Sequence, residues 1–249
     1  MIHVLLDGDM FVFRACASCE REIDWGNNIW TLHVDIEEAR NKFLDLVEDA
    51  IERAFEKMQY DGGFDVTLCF SSDTNFRKKV LPTYKANRDD KRKPVAYKAV
   101  VDWVKKVFRT KEIEGLEADD CLGILATSHK TKCIIISGDK DMKTIPCLHF
   151  DFLRGSFFET TPEESTYWFY MQTLMGDATD GYSGCPKVGQ VTAKKLLDAN
   201  CSWATVVKAF EAKGLSEEYA LQQARVAKIL LASDYDERNR KVILWKPHS

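Results

Sequence analysis

The sequence predicts an α/β protein: a central, mostly parallel sheet flanked by helices, followed by a helical portion. Three observations predict it. Short apolar runs alternate with stretches of helical periodicity up to about residue 155, the pattern of strands joined by crossover helices. The run Cys-Ile-Ile-Ile-Ser at 133–137 is apolar almost throughout, as expected when both faces of a strand are covered. After Thr161-Pro162 the strand signals give way to helical segments.

In chain order, residues 3–6 read as a short buried strand ending at Asp7-Gly8. Residues 35–58 read as a helix, because Ile36, Ala39, Phe43, Leu46, Val47, Ala50, Ile51, Ala54, Phe55 and Met58 recur at intervals of three and four. Asp61-Gly62-Gly63 breaks the chain, and 66–70 is a second strand. A basic stretch follows, interrupted by Pro82 and Pro94. Residues 95–108 are helical, with Ala99, Val100, Trp103, Val104 and Val107 facing inward; 111–113 is a marginal strand and 117–127 a helix. The strand at 133–137 leads to a short helix at 139–145 and a strand at 148–153. Helices are then predicted at 163–175, 190–199, 203–212 and 217–232, with 242–245 a candidate returning strand. The division is a body at 1–155 and a helical portion at 156–249.

The composition is that of a globular protein: 249 residues, 45% hydrophobic, 30% charged, net charge −4. No apolar run approaches the roughly 20 residues that span a bilayer, so a membrane is excluded as partner. An acid at position 7 comes too soon for a signal peptide's apolar region, and the expected location is cytoplasmic. Eight cysteines, mostly in apolar stretches, read as reduced, buried thiols. Cys16-x-x-Cys19 lacks the second Cys or His pair of a zinc site.

The charge is unevenly placed. Residues 76–98 hold nine Lys/Arg against two Asp, while the rest of the chain is acidic. A basic run is most often a solvated face, but this one is interleaved with Phe76, Tyr84 and Tyr97 and lies between ordered-looking segments. Cations for phosphates and rings for bases favour nucleic acid as partner.

The acids are placed as unevenly. Asp7 follows the first strand, Asp73 the second, Glu117, Asp119 and Asp120 the third, Asp139 and Asp141 the fourth. In an open parallel sheet ligands bind beyond the carboxyl ends of the strands. A single acid there is more often a helix cap. Seven converging on one crevice repel unless cations neutralise them or several stay protonated. Asp177 and Asp180 add two more, three apart in Gly-Asp-Ala-Thr-Asp. Hard divalent ions with oxygen ligands are the natural solution, and two such ions about 4 Å apart suit phosphodiester displacement. An acidic crevice beside a basic, aromatic arm describes a nuclease.

With these motifs in hand, the chain resembles the 5′-nuclease superfamily, the flap endonucleases and 5′→3′ exonucleases, and within it the phage-encoded double-strand exonucleases. The motifs are Leu-Leu-Asp-Gly-Asp (5–9), Phe-Arg-Lys (76–78), Leu-Pro-Thr-Tyr-Lys-Ala-Asn-Arg (81–88), Glu-Ala-Asp-Asp (117–120), Ser-Gly-Asp-Lys-Asp (137–141), Gly-Asp-Ala-Thr-Asp-Gly (176–181) and Gly-Cys-Pro-Lys-Val-Gly-Gln-Val-Thr-Ala (184–193). Their order and spacing together are specific. The resemblance implies a PIN-like body and a helix-three-turn-helix element at about 176–199. It implies two Mg²⁺ ions, with Mn²⁺ able to substitute. Asp7, Asp73, Glu117, Asp119 and Asp120 would form one metal cluster, and Asp139, Asp141, Asp177 and Asp180 a second. Asp9 lies outside the usual ligand set and reads as a helix cap.

Tyr84, Lys85 and Arg88 resemble the base of the family's helical arch, through which the 5′ strand passes. Lys85 and Arg77 suit contact with the scissile phosphate, and Tyr84 suits stacking on an unpaired terminal base. Gly184–Ala193 resembles the hairpin that grips duplex backbone, with Gly184, Lys187, Gly189, Thr192 and Lys194 as contacts and carbonyls that can hold K⁺. Here Lys187 stands where a glycine is common. The implied substrates are double-stranded DNA with 5′ ends or flaps and RNA–DNA hybrid, in phage replication and primer removal within the infected cell. Two rivals remain. A PIN-like ribonuclease would lack the helical hairpin at 176–195. A non-catalytic DNA-binding protein on the same fold would be expected to have lost some of the nine acids.

Overall fold

The structure, a computed structural model, describes residues 1–88, 91–128 and 132–247; Asp89 and Asp90, the two acids of the basic stretch, lie outside the described residues. Strand β1 (Ile2–Asp7) is buried along its whole length, and Asp7 at its end caps α1 (Gly8–Cys19) by accepting the Met10 N–H at 3.1 Å. A hairpin of β2 (Arg21–Asp24) and β3 (Trp30–His33) leads to α2 (Ile36–Met58), capped by Asp35. β4 (Phe64–Phe70) follows. The basic stretch then folds as a short helix α3 (Arg77–Val80), a 3₁₀ turn at Ala86–Arg88 and helix α4 (Tyr97–Val107).

Next come β5 (Thr110–Glu112), α5 (Ala118–Ser128), β6 (Cys133–Ser137), a 3₁₀ helix at Lys140–Thr144, β7 (Leu148–Asp151) and β8 (Ser156–Glu159). Four helices complete the chain, α6 (Pro162–Met175), α7 (Gln190–Ala199), α8 (Trp203–Glu211) and α9 (Glu217–Ala227), with a small ribbon of β9 (Tyr235–Asp236) and β10 (Lys241–Val242).

The central sheet has the order β5-β4-β1-β6-β7-β8, parallel except for β8. Register aligns the strand ends: Asp7 lies opposite Cys69, and Leu6 opposite Ile136. The loops after β1, β4 and β6 therefore leave the sheet at one edge, which is where the acids sit. Alternation along the strands builds two cores. Val4, Leu6, Ile134 and Ile136 pack under α1, α2 and α4, while Leu5 and Ile135 face α5. A third core joins α6 to α9. The cysteines are free, six of them buried. Among the described residues no helix is long and apolar enough to cross a membrane.

The structure departs from the expected elements in several places, among them the β2–β3 hairpin and the short helix α3, neither of which was expected. Helix α1 was not expected, although Phe11, Val12, Ala15, Cys16 and Cys19 carry the 3–4 spacing that buries it. The sheet body closes at Glu159 rather than at 155, because β8 returns antiparallel on β7. Helix α9 ends at Ala227 rather than near 232, because Ile229 and Leu230 leave it to pack into the core around α5. The helical portion is thus stitched back onto the α/β body by its own chain.

Gly123 of α5 makes that return passable. A Cβ there would stand 2.3 Å from the Leu230 carbonyl oxygen. In an ordinary helix interior Gly→Ala gains up to about 1 kcal/mol; here the clash with backbone reverses the sign. Gly123→Ala should destabilise by about 1–3 kcal/mol, a fall in Tm of several degrees in a thermal melt. A raised Tm would mean that the 229–230 segment does not pack on α5.

Candidate active site

Asp7, at the end of β1, is buried and receives the Ser137 hydroxyl at 3.0 Å as well as the Met10 amide. Its pKa is nonetheless pushed up to about 7, by burial first and then by the charges of Asp9 and Asp139. Ser137 Oγ also accepts the Asp139 N–H at 3.1 Å, and Asp139 caps the following 3₁₀ helix by accepting the Asp141 N–H at 2.8 Å. Burial and the neighbouring Asp139 push Asp141 up to about 7. Asp119, in the first turn of α5, is raised well above the ordinary carboxylate range, by burial and then by Asp139 and Asp7. Four acids from three strand ends thus share one field.

Glu117 behaves oppositely. Burial pushes its pKa up, but Arg77 and Lys85 outweigh burial and bring it down to about 2. The Lys85 ammonium bonds Glu117 and lies 3.6 Å from Asp180; its backbone, in the left-handed region at φ 54°, donates N–H to the Asp180 carbonyl at 2.8 Å. Arg88 pairs with Asp180 at 2.6 Å. Asp177 pairs with Lys140 at 3.3 Å and accepts the Thr179 N–H at 2.7 Å. It is held below the usual range: burial opposes this, and the Thr179 amide and Lys140 prevail. Asp180 is raised despite its two cations, because burial dominates. The second acid pair is thereby hooked to the base of the basic stretch.

Two assignments need correction. Arg77, expected at the scissile phosphate, is 2% exposed. Its five N–H groups are all engaged: Nε with the Val226 carbonyl at 2.9 Å, Nη1 with Asp120 at 2.7 Å and Glu117 at 3.2 Å, Nη2 with Asp120 at 2.8 Å and the Lys228 carbonyl at 2.6 Å. It has no donor left for a substrate. Tyr84, expected to stack on a base, is 2% exposed, its ring flanked by the Arg77 and Lys85 cations. Its hydroxyl lies 2.8 Å from Glu117 and 3.2 Å from Asp180, tying the two acid groups together.

Asp120 and Asp73 stand apart from the other acids. Asp120 is fully buried, and besides the Arg77 fork it accepts the Glu117 N–H at 3.1 Å and the Leu230 N–H at 3.0 Å. All of its strong acceptor directions are in use. Asp73 is exposed in the loop after β4, with no hydrogen bond or ion pair to another described residue. Asp9 is not the cap of α1, which is Asp7; it accepts the Ser71 N–H at 2.9 Å and the Tyr97 hydroxyl at 2.8 Å, joining three elements.

In the hairpin before α7, Gly184 is buried and its N–H is taken by Gln223 at 3.0 Å. Gly189 begins α7 with no side-chain cap, and Lys187, Thr192 and Lys194 are exposed beside it. Lys187 adopts φ 62°, the left-handed conformation that a glycine would take most easily. Lys194 pairs with Asp198 at 2.7 Å. Ser137, Lys140 and Gln223 were not singled out from the sequence. The Ser-Gly-Asp-Lys-Asp motif contains the first two, while nothing near Gln223 in the chain signals its role.

As they stand, no three acid, His or Cys side chains among the described residues are arranged around a common metal position. The donor chemistry nevertheless fits a hard divalent cation. The unbalanced groups are carboxylates alone, and their pKa values are raised by burial first and by one another's charge second, both of which a bound cation offsets.

Residues 3–154 match the family described as 5′-3′ exonuclease, N-terminal resolvase-like domain. The chain is 30% identical to the exodeoxyribonuclease of Enterobacteria phage T3, over 99% of its own length and 93% of that protein's. It is also 30% identical to the exonuclease of Escherichia phage T7, over 98% and 93%. Among solved structures, the flap endonuclease of bacteriophage T5, crystallised as a pseudo-enzyme–product complex with DNA and metal ions, has a TM-score of 0.66 at 17% identity. The match covers 94% of this chain and 90% of that one, a likeness of fold.

The raised acids give stability a pH dependence of defined sign. Asp7 and Asp141 keep their protons up to about pH 7 when folded and lose them near 3.8 when unfolded. Between these values the folded state binds more protons, so stability falls as pH rises. Glu117 acts in a separate window: its contribution is present above 4.5 and is lost as pH falls towards 2. Without divalent metal, Tm should decline from about pH 5 to pH 7.5 by a few degrees, and millimolar Mg²⁺ should remove most of the decline. Identical melts with chelator and with Mg²⁺ would show that these acids form no saturable cation site.

Proposed function

Because the chain belongs to the 5′-3′ exonuclease family and is a nuclease, we propose that it uses divalent metal to hydrolyse double-stranded DNA from 5′ ends and to cut 5′ flaps. The same site would degrade RNA in RNA–DNA hybrid, serving primer removal in phage replication within the cytoplasm of an infected cell. The observation that carries this reading is the crowd of Asp7, Asp119, Asp139 and Asp141 at the carboxyl edge of the sheet, beside the base of the basic stretch. The T5 relative, crystallised with DNA and metal ions, supports both partners.

Asp7, Asp119, Asp139 and Asp141 would hold the cations, two Mg²⁺ or Mn²⁺ in their place, with Glu117, Asp177 and Asp180 completing the set. When bound, such a pair supplies positive charge for the attacking and leaving oxygens of the phosphodiester. Asp120 is left out because Arg77 and two backbone amides saturate it. Asp73 is exposed and stands outside the set.

The chain's own residues do the rest. Lys85 and Arg88 share Glu117 and Asp180 in the free protein and are the cations that a substrate phosphate meets at the arch base. Tyr84 does not stack on the substrate in this reading; it fixes Glu117 relative to Asp180. The uncapped N-terminus of α7, with Lys187, Gly189, Thr192 and Lys194 around it, takes the duplex backbone. K⁺ at this hairpin would raise duplex affinity over Na⁺.

Products from 5′- and 3′-labelled duplex, flap and RNA–DNA hybrid in Mg²⁺ test the activity itself. Lys85→Ala should lower single-turnover cleavage about 10²- to 10³-fold with little loss of duplex affinity in Ca²⁺. Lys187→Ala should weaken binding evenly across sequences and reduce the salt slope by about one. If both variants lost binding and cleavage in the same proportion, the separation of arch from hairpin would be wrong. Asp177→Asn with Asp180→Asn removes two charges at constant size. Binding should persist or tighten while cleavage falls by orders of magnitude. A double variant that cuts at near wild-type rate would make the pair simple turn caps.

A further inference from the structure

Gln223 is a polar side chain on α9, 1% exposed. Its Oε1 accepts the Gly184 N–H at 3.0 Å, at the start of the hairpin before α7. Three residues on, the same helix ends against Arg77, whose Nε and Nη2 bond the carbonyls of Val226 and Lys228. Arg77 in turn forks onto Asp120 and reaches Glu117. The Leu230 N–H closes on Asp120 from the other side. One residue before Gln223, Gln222 donates to the Val80 carbonyl at 2.9 Å, at the end of α3 in the basic stretch. Helix α9 therefore holds the hairpin along one turn and the acids and arch base along the next.

We infer that α9 relays duplex docking to the reacting acids, with Gln223 as the positioning residue on the hairpin side and Arg77, bonded to the end of α9, as the one on the acid side. This rests on the reading that the 184–195 hairpin grips duplex. The physical ground is saturation. Arg77 has no spare N–H, and a buried guanidinium cannot turn to water, so a shift of α9 must be followed by Arg77 or break buried bonds. Glu117, held by Arg77, carries Tyr84 and Lys85 with it. Gln223 reaches the hairpin through the buried Gly184 N–H and hydrogen-bonds none of the acids, so changing it perturbs the hairpin side of the relay and leaves the acid side untouched. The class of event relayed is the arrival of duplex backbone, before any 5′ end reaches the acids.

Coupling of this kind is measured by binding at one end and reading the other. The probe is a covalently closed dumbbell duplex, which offers the hairpin a backbone and the acids no 5′ end. With wild-type full-length chain in Ca²⁺, the dumbbell should slow amide hydrogen exchange at 117–121 about fivefold or more. Gln223→Met, with its dumbbell affinity titrated first, should lose that slowing even at saturating dumbbell. It should cut 5′-ended duplex with kcat lowered about tenfold, a larger factor than any rise in KM. Arg77→Lys should show the same split, and the double variant should be no worse than the poorer single.

Slowing retained in Gln223→Met, slowing absent from wild type with the dumbbell bound, or losses that multiply in the double variant would each overturn the relay. If Arg77→Lys fails to fold, Gln223→Met decides alone, since it leaves the buried ion pair intact. Lys187→Ala and Lys194→Ala separate the two readings. If neither lowers dumbbell affinity, the hairpin does not grip duplex and both readings fall. If they lower it and exchange at 117–121 does not respond, only the relay falls.

Discussion

Carboxylates brought to one edge of a sheet must be balanced by cations or held protonated, and most features of this site follow from that constraint. The protein supplies some of the balance itself. Arg77 and Lys85 stand against Glu117, Lys140 against Asp177, and these two acids have lowered pKa values. Asp7, Asp119 and Asp141 have no such partner close enough to prevail, and all three are raised. The acids thus divide into a group that the chain neutralises and a group that it leaves without a matching cation. Asp180 lies on the boundary, paired with two cations yet raised by burial.

The internal cations are not equivalent. A guanidinium fork matched to a carboxylate is a fixed joint, whereas an ammonium on a flexible stem is a point charge that can be shared. Arg77 with Asp120 is the joint: fully buried, with Asp120 bonded further to two backbone amides. Replacing such a pair by apolar residues often costs no stability, so its value here is geometric. It sets where α5 begins, and thereby where Glu117 and Asp119 point. Lys85, partly exposed and shared between Glu117 and Asp180, is the cation free to change partners.

Much of this was legible in the sequence, and the limits have physical causes. Strand order and the common edge of the acids follow from alternating strand and helix signals, since a parallel sheet has one carboxyl end. Which cation of Phe-Arg-Lys-Lys goes inside does not follow. On a helix of only four residues, Arg77, Lys78 and Lys79 differ by direction alone, and direction is fixed by Asp120, 43 residues away, and by the carbonyls of Val226 and Lys228, 149 and 151 residues away. Tyr84 fails as a stacking residue for the same reason: its neighbours in space are Glu117 and Asp180. Helix α1 carried its own 3–4 signal, but the end of β9–β10 and the turn of α9 back into the body depend on packing with α5 that no local pattern encodes.

The rival of a binding protein without chemistry meets a thermodynamic objection. Raised pKa values at Asp7 and Asp141 mean that, near neutral pH, folding works against carboxylate ionisation. A protein that only held DNA would gain from Asn or Ser at these positions, since repulsion of phosphates would fall as well. Sites where local stability is sacrificed without a structural return are where function is to be sought. Asp120 shows the contrast within four residues of one motif: its charge is matched, its bonds are complete, and its cost is met by structure. Asp119, its neighbour, is only partly buried and stays unmatched, so of the two adjacent acids of Glu-Ala-Asp-Asp one is spent on holding the frame and the other is left without a structural return.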